Sequence, residues 1–462
     1  MRHVILALFL ALILVTPGLA QTDADNKVLE LATVLEQRVA VLREKEFAKP
    51  VEKGIFTREQ LLQYLLESLD KEFPPDEALA YEKSLEVLGF IPPEMNLRDT
   101  LVGFLALQIG GFYDPEQKIL RCISTDFELL QHLVMVHEIE HALQDQSFDL
   151  ERHTQLMEEL GDKDEDMQRA ILSVVEGDAQ YVSDLYMSEH AGDVAAATKG
   201  ASPKVYGRFA LDQLLSLGAV PPFFTEAMTF PYTVGTVFVQ AVREAGEWRA
   251  VDAAFELPPL STEQVLHPSK YLDGSDPPLA VETADVSSSL GEGFQRVASN
   301  TLGEFGVRVY VQLVGSDTVR AMRASRGWGG DRYDVYEHAP TGRLVLVWLT
   351  TWDTEKDAQE FVDAVRTTLA RRHTAAGESP ETGERGGGFF VRTAKSLGFG
   401  ERREKMVLVA DGCNLDASLD QLAEAAWQGK VVGPKSLPVL KKEETEEAPQ
   451  GEKGEEGGYW RE

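Results

Sequence analysis

His137-Glu138-Ile139-Glu140-His141 forms a His-Glu-x-x-His pentad within an apolar, helix-like pattern. Two histidines four residues apart share one face of a helix, so both imidazoles can reach the same metal ion. Zinc accepts imidazole nitrogen, and a catalytic zinc site takes three protein ligands and one water. A glutamate beside the pair can accept a proton from that water. The pentad therefore indicates a zinc site, provided that a third ligand exists.

The next predicted helix, at 170–179, supplies a candidate third ligand, Glu176. Its neighbours include Leu172, Val175 and Ala179, among which an unpaired carboxylate would be costly to bury. A solvated polar stripe on an amphipathic helix would give a similar spacing of polar residues. Glu176 is thus either a metal ligand or one member of a surface stripe.

The identity of the base is ambiguous within the pentad itself. The same residues satisfy the inverted motif His-x-x-Glu-His, in which Glu140 would be the base. Glu138 and Glu140 lie about 80° to either side of the midline of the histidine pair, so helix geometry does not choose between them. The metzincin pattern is excluded, because Gln144 and Ser147 stand where that pattern needs Gly and His.

A His-Glu-x-x-His helix followed by Glu176-Gly177-Asp178-Ala179 resembles the gluzincin metallopeptidases of the zincin superfamily. The wider resemblance runs from about Gly110 to Tyr271 and includes the segment Ser-Thr-Glu-Gln-Val-Leu-His-Pro at 261–268. The resemblance is to a group of exported bacterial proteins in that superfamily. His267 in this segment could contact the site, although a loop histidine before proline is more often structural.

The resemblance implies roles for four residues. His137, His141 and Glu176 would bind one Zn²⁺ per chain, and Glu138 rather than Glu140 would be the general base. Some gluzincins carry an acidic residue four positions after the glutamate ligand. This chain has Gln180 there, with Asp178 and Asp184 nearby, which leaves open the carboxylate that orients the histidines.

Phe230-Pro231-Tyr232-Thr233-Val234-Gly235 is similar to the Pro-Tyr-x-x-Gly segment that opens a helix in aminopeptidase-type gluzincins. In those enzymes the tyrosine hydroxyl stabilises the oxyanion formed when water attacks the carbonyl, which implies the same role for Tyr232. A phenol suits that task because it donates one hydrogen bond and stays neutral near pH 7. A tyrosine packed beneath a helix start is the structural alternative.

The stretch before the pentad predicts a hairpin. Residues 109–113 and 118–123 have strand character and are joined by a turn at 114–117. Zincins place an edge strand over the metal helix, where an extended peptide can pair with it. The resemblance thus implies a peptide or protein substrate, whereas a plain hairpin would serve structure alone.

Both chain ends have distinctive compositions. Residues 1–20 predict a secretory signal peptide, which implies an exported protein, periplasmic or extracellular. No other stretch is long and apolar enough to span a bilayer, so no stable membrane insertion is expected after signal cleavage. The net charge of −31 disfavours nucleic acid and anionic membranes as partners. Residues 436–462 predict an acidic disordered tail.

Composition and punctuation predict an α+β protein with several domains. These are the signal peptide (1–20), a helical lead-in (21–100), a mostly helical zincin-like catalytic domain with a β-hairpin (101–285), a separate C-terminal α+β module (290–435) and the tail (436–462). In the module, Arg332–Tyr336, Arg343–Thr351, Gly388–Arg392 and Met406–Ala410 predict strands, Asp353–Arg371 a helix, and Thr374–Gly387 a flexible loop. The lead-in could be a pro-segment, although no processing site marks it.

Two smaller features stay open. Cys122 and Cys413 are far apart in the sequence, and a disulfide between them is not predicted. The acidic run Gly161–Asp166 could bind calcium, although acidic residues are ordinary in the first turn of a helix.

These observations together predict an exported zinc metallopeptidase that hydrolyses peptide bonds with zinc-activated water and a glutamate base. Two alternatives remain. One is a non-catalytic binding protein of the cell envelope or extracellular space, built on a zincin scaffold. The other is a zinc amidase acting on a non-peptide substrate. The sequence does not predict the oligomeric state or the cleavage preference.

Overall fold

The structure is a computed structural model with side chains. It describes residues 23–57, 74–93, 95–98, 111–123, 128–190, 221–314, 317–414 and 418–440, and residues 59, 60, 63, 64, 66, 67 and 100. The predicted signal peptide and the tail beyond residue 440 lie outside the described residues. Among the helices of the described part, none has both the length and the apolar character needed to cross a membrane.

Four long helices carry the predicted site and its surroundings. They are the N-terminal helix (Asp23–Arg43), the pentad helix (Glu128–Phe148), the Glu176 helix (Glu165–Glu189) and the Tyr232 helix (Pro222–Glu256). The other helices are Pro75–Leu88, Leu150–Leu160, Thr262–Leu266, Pro268–Asp273, Ser287–Leu290, Gly303–Val309, Thr318–Ser325, Glu355–Ala375 and Leu419–Ala426, with a 3₁₀ turn at Gly161–Lys163 and a π-helical turn at Tyr310–Val314.

A three-stranded sheet lies against the pentad helix. Its strands are β1 (Glu52–Phe56), β2 (Gly111–Asp114) and β3 (Ile119–Ile123), in the order β1-β3-β2. β2 and β3 pair antiparallel and confirm the predicted hairpin. β1 pairs with β3 in parallel and was not predicted, because it lies in the lead-in that the sequence describes as helical.

The C-terminal part contains a seven-stranded antiparallel sheet. Its strands are β5 (Phe294–Asn300), β6 (Trp328–His338), β7 (Arg343–Trp352), β8 (Glu381–Arg385), β9 (Gly388–Arg392), β10 (Leu397–Arg403) and β11 (Met406–Cys413), in the order β5-β6-β7-β11-β10-β9-β8. A small ribbon pairs β4 (Leu279–Glu282) with β12 (Lys430–Pro434). The α+β class is confirmed. The predicted loop Thr374–Gly387 is wrong in part, since it contains β8, which pairs with β9 just after it.

The seven-stranded sheet packs against the helices that carry the site. Val136 of the pentad helix, Val175 of the Glu176 helix and Trp348 of β7 belong to one buried apolar cluster. At the start of the Glu176 helix, the Asp164 side chain accepts a hydrogen bond from the Met167 N–H. The Lys435 ammonium lies 2.8 Å from Asp164. The acidic run therefore caps a helix and binds a lysine.

Cys122 and Cys413 are buried free thiols. They lie in β3 and β11, which belong to different sheets. The two cysteines do not form a disulfide with each other in this structure.

Candidate metal centre

The pentad helix presents its two histidines to one point, as the i, i+4 spacing requires. The Nε2 atoms of His137 and His141 lie 3.1 Å apart. The side chain of His141 is fully buried, whereas that of His137 keeps 12% of its surface exposed. His137 is therefore the more accessible of the two histidines.

Glu176 completes this group from the neighbouring helix. Its Oε2 atom lies 3.2 Å from Nε2 of His137 and 3.6 Å from Nε2 of His141. Its side chain is fully buried, which excludes the surface-stripe interpretation. Burial raises the pKa of Glu176, but its interactions with the adjacent His137 and His141 outweigh that effect and lower it to about 2. Glu176 is therefore an ionised carboxylate.

The geometry of the three ligand atoms fits a zinc ion. Two ligands of a tetrahedral zinc lie about 3.3 Å apart when each bond is about 2.0–2.1 Å long. The observed separations are 3.1, 3.2 and 3.6 Å. Two imidazole nitrogens and one carboxylate oxygen also form a ligand set that zinc prefers. The three residues therefore suit a zinc ion in both ligand type and spacing.

A second group in the described part of the chain makes a useful contrast. Glu263, Asp276 and Asp353 also bring three possible ligand atoms together. The ammonium of Lys270 binds all three of these carboxylates and supplies the positive charge. Among the described residues, the ion-pair contacts of Glu176 are with the two histidines alone. In the part of the chain that the structure describes, no lysine or arginine forms an ion pair with Glu176 as Lys270 does with Glu263.

Gln144 sets the orientation of His141. Its amide nitrogen donates to the carbonyl of Val175 at 3.0 Å and to Asp178 at 3.1 Å. The amide oxygen therefore faces His141, whose Nδ1–H donates to it at 2.9 Å. With the proton on Nδ1, the Nε2 lone pair points toward His137 and Glu176. The side chain that contacts Nδ1 of His141 is thus an amide, and Asp178 in turn accepts a hydrogen bond from that amide.

Gln180 and Asp184, the other two residues considered for this role, contact each other. The side chains of these two residues bond to each other at 3.1 Å, one turn apart on the Glu176 helix. His267, the loop histidine of the gluzincin-like segment, bonds to Glu304 at 3.0 Å. His267 is not a member of either group of possible metal ligands.

The two candidate bases point in different directions. Glu138 accepts a hydrogen bond from the backbone N–H of Tyr113 in β2, at 2.8 Å. Burial raises the pKa of Glu138, and the adjacent His141 and His137 act in the opposite direction. Glu140 instead lies 3.6 Å from Nε of Arg43, and burial together with the charge of Asp178 raises its pKa. Glu138 is therefore the carboxylate beside the histidines.

Tyr232 lies against the metal group from a third helix. Its ring stacks on that of His137, with centroids 5.7 Å apart and planes inclined by 27°. Burial raises the pKa of Tyr232, and the charges of Glu176 and Glu138 raise it further, so the phenol stays protonated. The predicted helix start at Pro231 is wrong. The helix begins at Pro222 and continues through Pro231, because the apolar stretch before the proline is itself helical.

The match to a known family does not reach this site. Residues 291–417 match the family described as a domain of unknown function, DUF8575. That match spans every strand of the seven-stranded sheet and none of the predicted site residues. A search of curated proteins finds no match. The chain is similar to a crystal structure described as "a putative hydrolase with a novel fold" from Chloroflexus aurantiacus, with 18% identity and a TM-score of 0.37, over 56% of this chain and 92% of that chain.

Proposed function

We propose that this protein is a zinc-dependent metallopeptidase of the gluzincin type, acting outside the cytoplasm. The observation that carries the proposal is the convergence of His137, His141 and Glu176 at separations suited to one tetrahedral ion. A zinc ion held by these residues would supply Lewis acidity, which would polarise the scissile carbonyl and lower the pKa of the attacking water.

Two further residues would transfer the proton of the water and stabilise the charge that develops on the substrate. Glu138 accepts the proton of the attacking water and returns it to the leaving amine, for which its position beside the histidines is suitable. Tyr232 donates its hydroxyl proton in a hydrogen bond to the oxyanion that develops on the carbonyl oxygen. The raised pKa of Tyr232 keeps that donor available at neutral pH.

The small sheet favours an extended peptide as the substrate. β2 is an edge strand of the order β1-β3-β2. The N–H of Tyr113 already points outward to Glu138. A peptide that adds to this edge by main-chain hydrogen bonds would pass beside the proposed base. A small non-peptide amide would make no use of the strand.

The test is cleavage of a peptide library by purified residues 21–462, with and without a chelator and zinc restoration. Wild type should cleave, and Glu138→Gln should be slower by about 10²–10⁴-fold while it retains zinc. Glu140→Gln is the matched control on the same helix. It should stay active, because Glu140 has a raised pKa and lies beside Arg43.

Each other outcome selects a different account. Loss of activity in Glu140→Gln with an active Glu138→Gln would establish the inverted motif. A zinc-loaded wild type that cleaves no peptide but hydrolyses small amides would favour the amidase. A zinc-loaded wild type with neither activity would favour the alternative of a non-catalytic binding protein.

A further inference from the structure

Arg43, the last residue of the N-terminal helix, is completely buried among acidic side chains. Its guanidinium lies 3.0 Å from Asp178, 2.8 Å from Asp252 and 3.6 Å from Glu140. It also lies 4.2 Å from the ring centroid of Trp248. A buried arginine with several carboxylate partners is costly to assemble, and removing it would leave buried charges unpaired.

The partners of Arg43 include residues of both helices that carry the predicted metal ligands. Glu140 belongs to the pentad helix and Asp178 to the Glu176 helix. Asp252 and Trp248 lie further along the chain than Tyr232, after a break in the helical backbone at Gly246 and Glu247. One side chain from the lead-in therefore contacts both helices that supply the predicted ligands.

A chain of hydrogen bonds leads from Arg43 to a metal ligand. The guanidinium Nε donates to both oxygens of Asp178, at 3.0 and 3.2 Å. Asp178 accepts from the amide nitrogen of Gln144 at 3.1 Å, and the amide oxygen of Gln144 accepts from Nδ1 of His141 at 2.9 Å. All four side chains are buried, so water does not compete with these bonds.

We propose that Arg43 is a positioning residue of the metal centre, which orients His141 through Asp178 and Gln144. The inference rests on the proposed function in that the ligand is zinc. It makes the N-terminal helix a fixed part of the centre rather than a removable pro-segment. Lysine would not replace Arg43 fully, because an ammonium lacks the planar fork that spans Asp178 and Asp252.

The test is zinc affinity, measured by competition with a chelator on residues 21–462 of wild type and Arg43→Lys. Loss of an outer partner of a metal ligand costs about 10–100-fold in affinity, and Arg43→Lys should fall in that range. Lys45→Met is the matched control. Lys45 binds the same Asp252, at 2.9 Å. Among the described residues, its ion-pair and hydrogen-bond partners include neither Asp178 nor Gln144. The zinc affinity of Lys45→Met should therefore stay near that of wild type.

A second variant separates positioning from folding. Gln144→Met breaks the chain at the amide and leaves Arg43 in place, and it should weaken zinc binding to a similar degree. The double variant Arg43→Lys/Gln144→Met should be no weaker than the weaker single variant, because both changes cut one path. Thermal melting of the zinc-free proteins checks that each variant is folded.

The inference is overturned if folded Arg43→Lys binds zinc as wild type does, or if the two losses of affinity add. These results leave the proposed function standing, since wild type still binds zinc. Failure of the proposed function has different signatures: wild type would bind no zinc, or zinc-loaded wild type would cleave no peptide.

Discussion

Gly177 and Gly235 face each other where the Glu176 helix crosses the Tyr232 helix. A Cβ on Gly177 would lie 2.5 Å from the carbonyl oxygen of Gly235, and a Cβ on Gly235 would lie 2.5 Å from the carbonyl oxygen of Ser173. Only glycine permits so close a backbone contact. Each glycine stands near a predicted site residue, Glu176 or Tyr232, so this crossing sets the distance between them.

Gly235→Ala should therefore disturb both stability and the site. The added methyl meets backbone that cannot move aside, and overpacking of this kind costs about 1–3 kcal/mol. We expect the free energy of unfolding in urea to fall by that amount and zinc affinity to fall with it. Gly54→Ala is the control, because its nearest contacts would be ordinary ones at 3.4 and 3.5 Å. Wild-type stability in Gly235→Ala would contradict the close crossing.

Tyr232→Phe should lower the rate without removing the metal. Loss of one oxyanion donor costs about 10²–10³-fold in kcat. KM for the peptide and the zinc content should change little, since the ring of Phe can still stack on His137. Steady-state kinetics on a cleaved library peptide measure the split. An unchanged kcat would show that Tyr232 only packs against the site.

His373 gives the seven-stranded sheet a pH-dependent contact. A hydrogen bond to Asp411 raises the pKa of His373, and its other nitrogen lies 2.9 Å from Glu378. A raised folded pKa stabilises the protonated form, so the contribution is complete below about pH 6.5 and is lost as pH rises through the folded pKa.

His373→Gln should thus destabilise the protein more in acid than in alkali. We expect the loss of unfolding free energy, measured by urea denaturation, to be larger at about pH 5.5 than at about pH 9. His338→Gln is the control, since its Nδ1 bonds to the Thr341 hydroxyl and not to a carboxylate. An equal loss at both pH values would show that His373 contributes no charge interaction.

The fold was predictable where the residue pattern is local. The i, i+4 histidines, the hairpin β2–β3 and the strands at 332–336 and 343–351 follow from spacing and alternation alone. β1 was missed because its partner, β3, lies far along the chain and the five residues Glu52–Phe56 alternate weakly. β8 was missed because its residues are mostly polar and its stability comes from pairing with β9.

The site was predictable for its ligands but not for their support. His137, His141 and Glu176 have residue types typical of metal ligands, whereas Gln144, three positions after His141, was used only to exclude the metzincin pattern. That spacing on one helix was the available signal. Arg43 had no local signal, because its contacts to Asp178 and Asp252 depend on how four helices pack. The residues that support the predicted ligands are therefore brought together by tertiary packing, which the local sequence pattern does not show.

Zinc content by mass spectrometry tests the central claim most directly. The samples are reconstituted residues 21–462 of wild type, Glu176→Ala and Glu263→Ala. Both glutamates are buried in groups of three possible ligands, but Lys270 already occupies the group of Glu263. We predict about one zinc per chain in wild type and Glu263→Ala, and none in Glu176→Ala. Wild type without zinc, or Glu176→Ala with a full complement, would contradict the account.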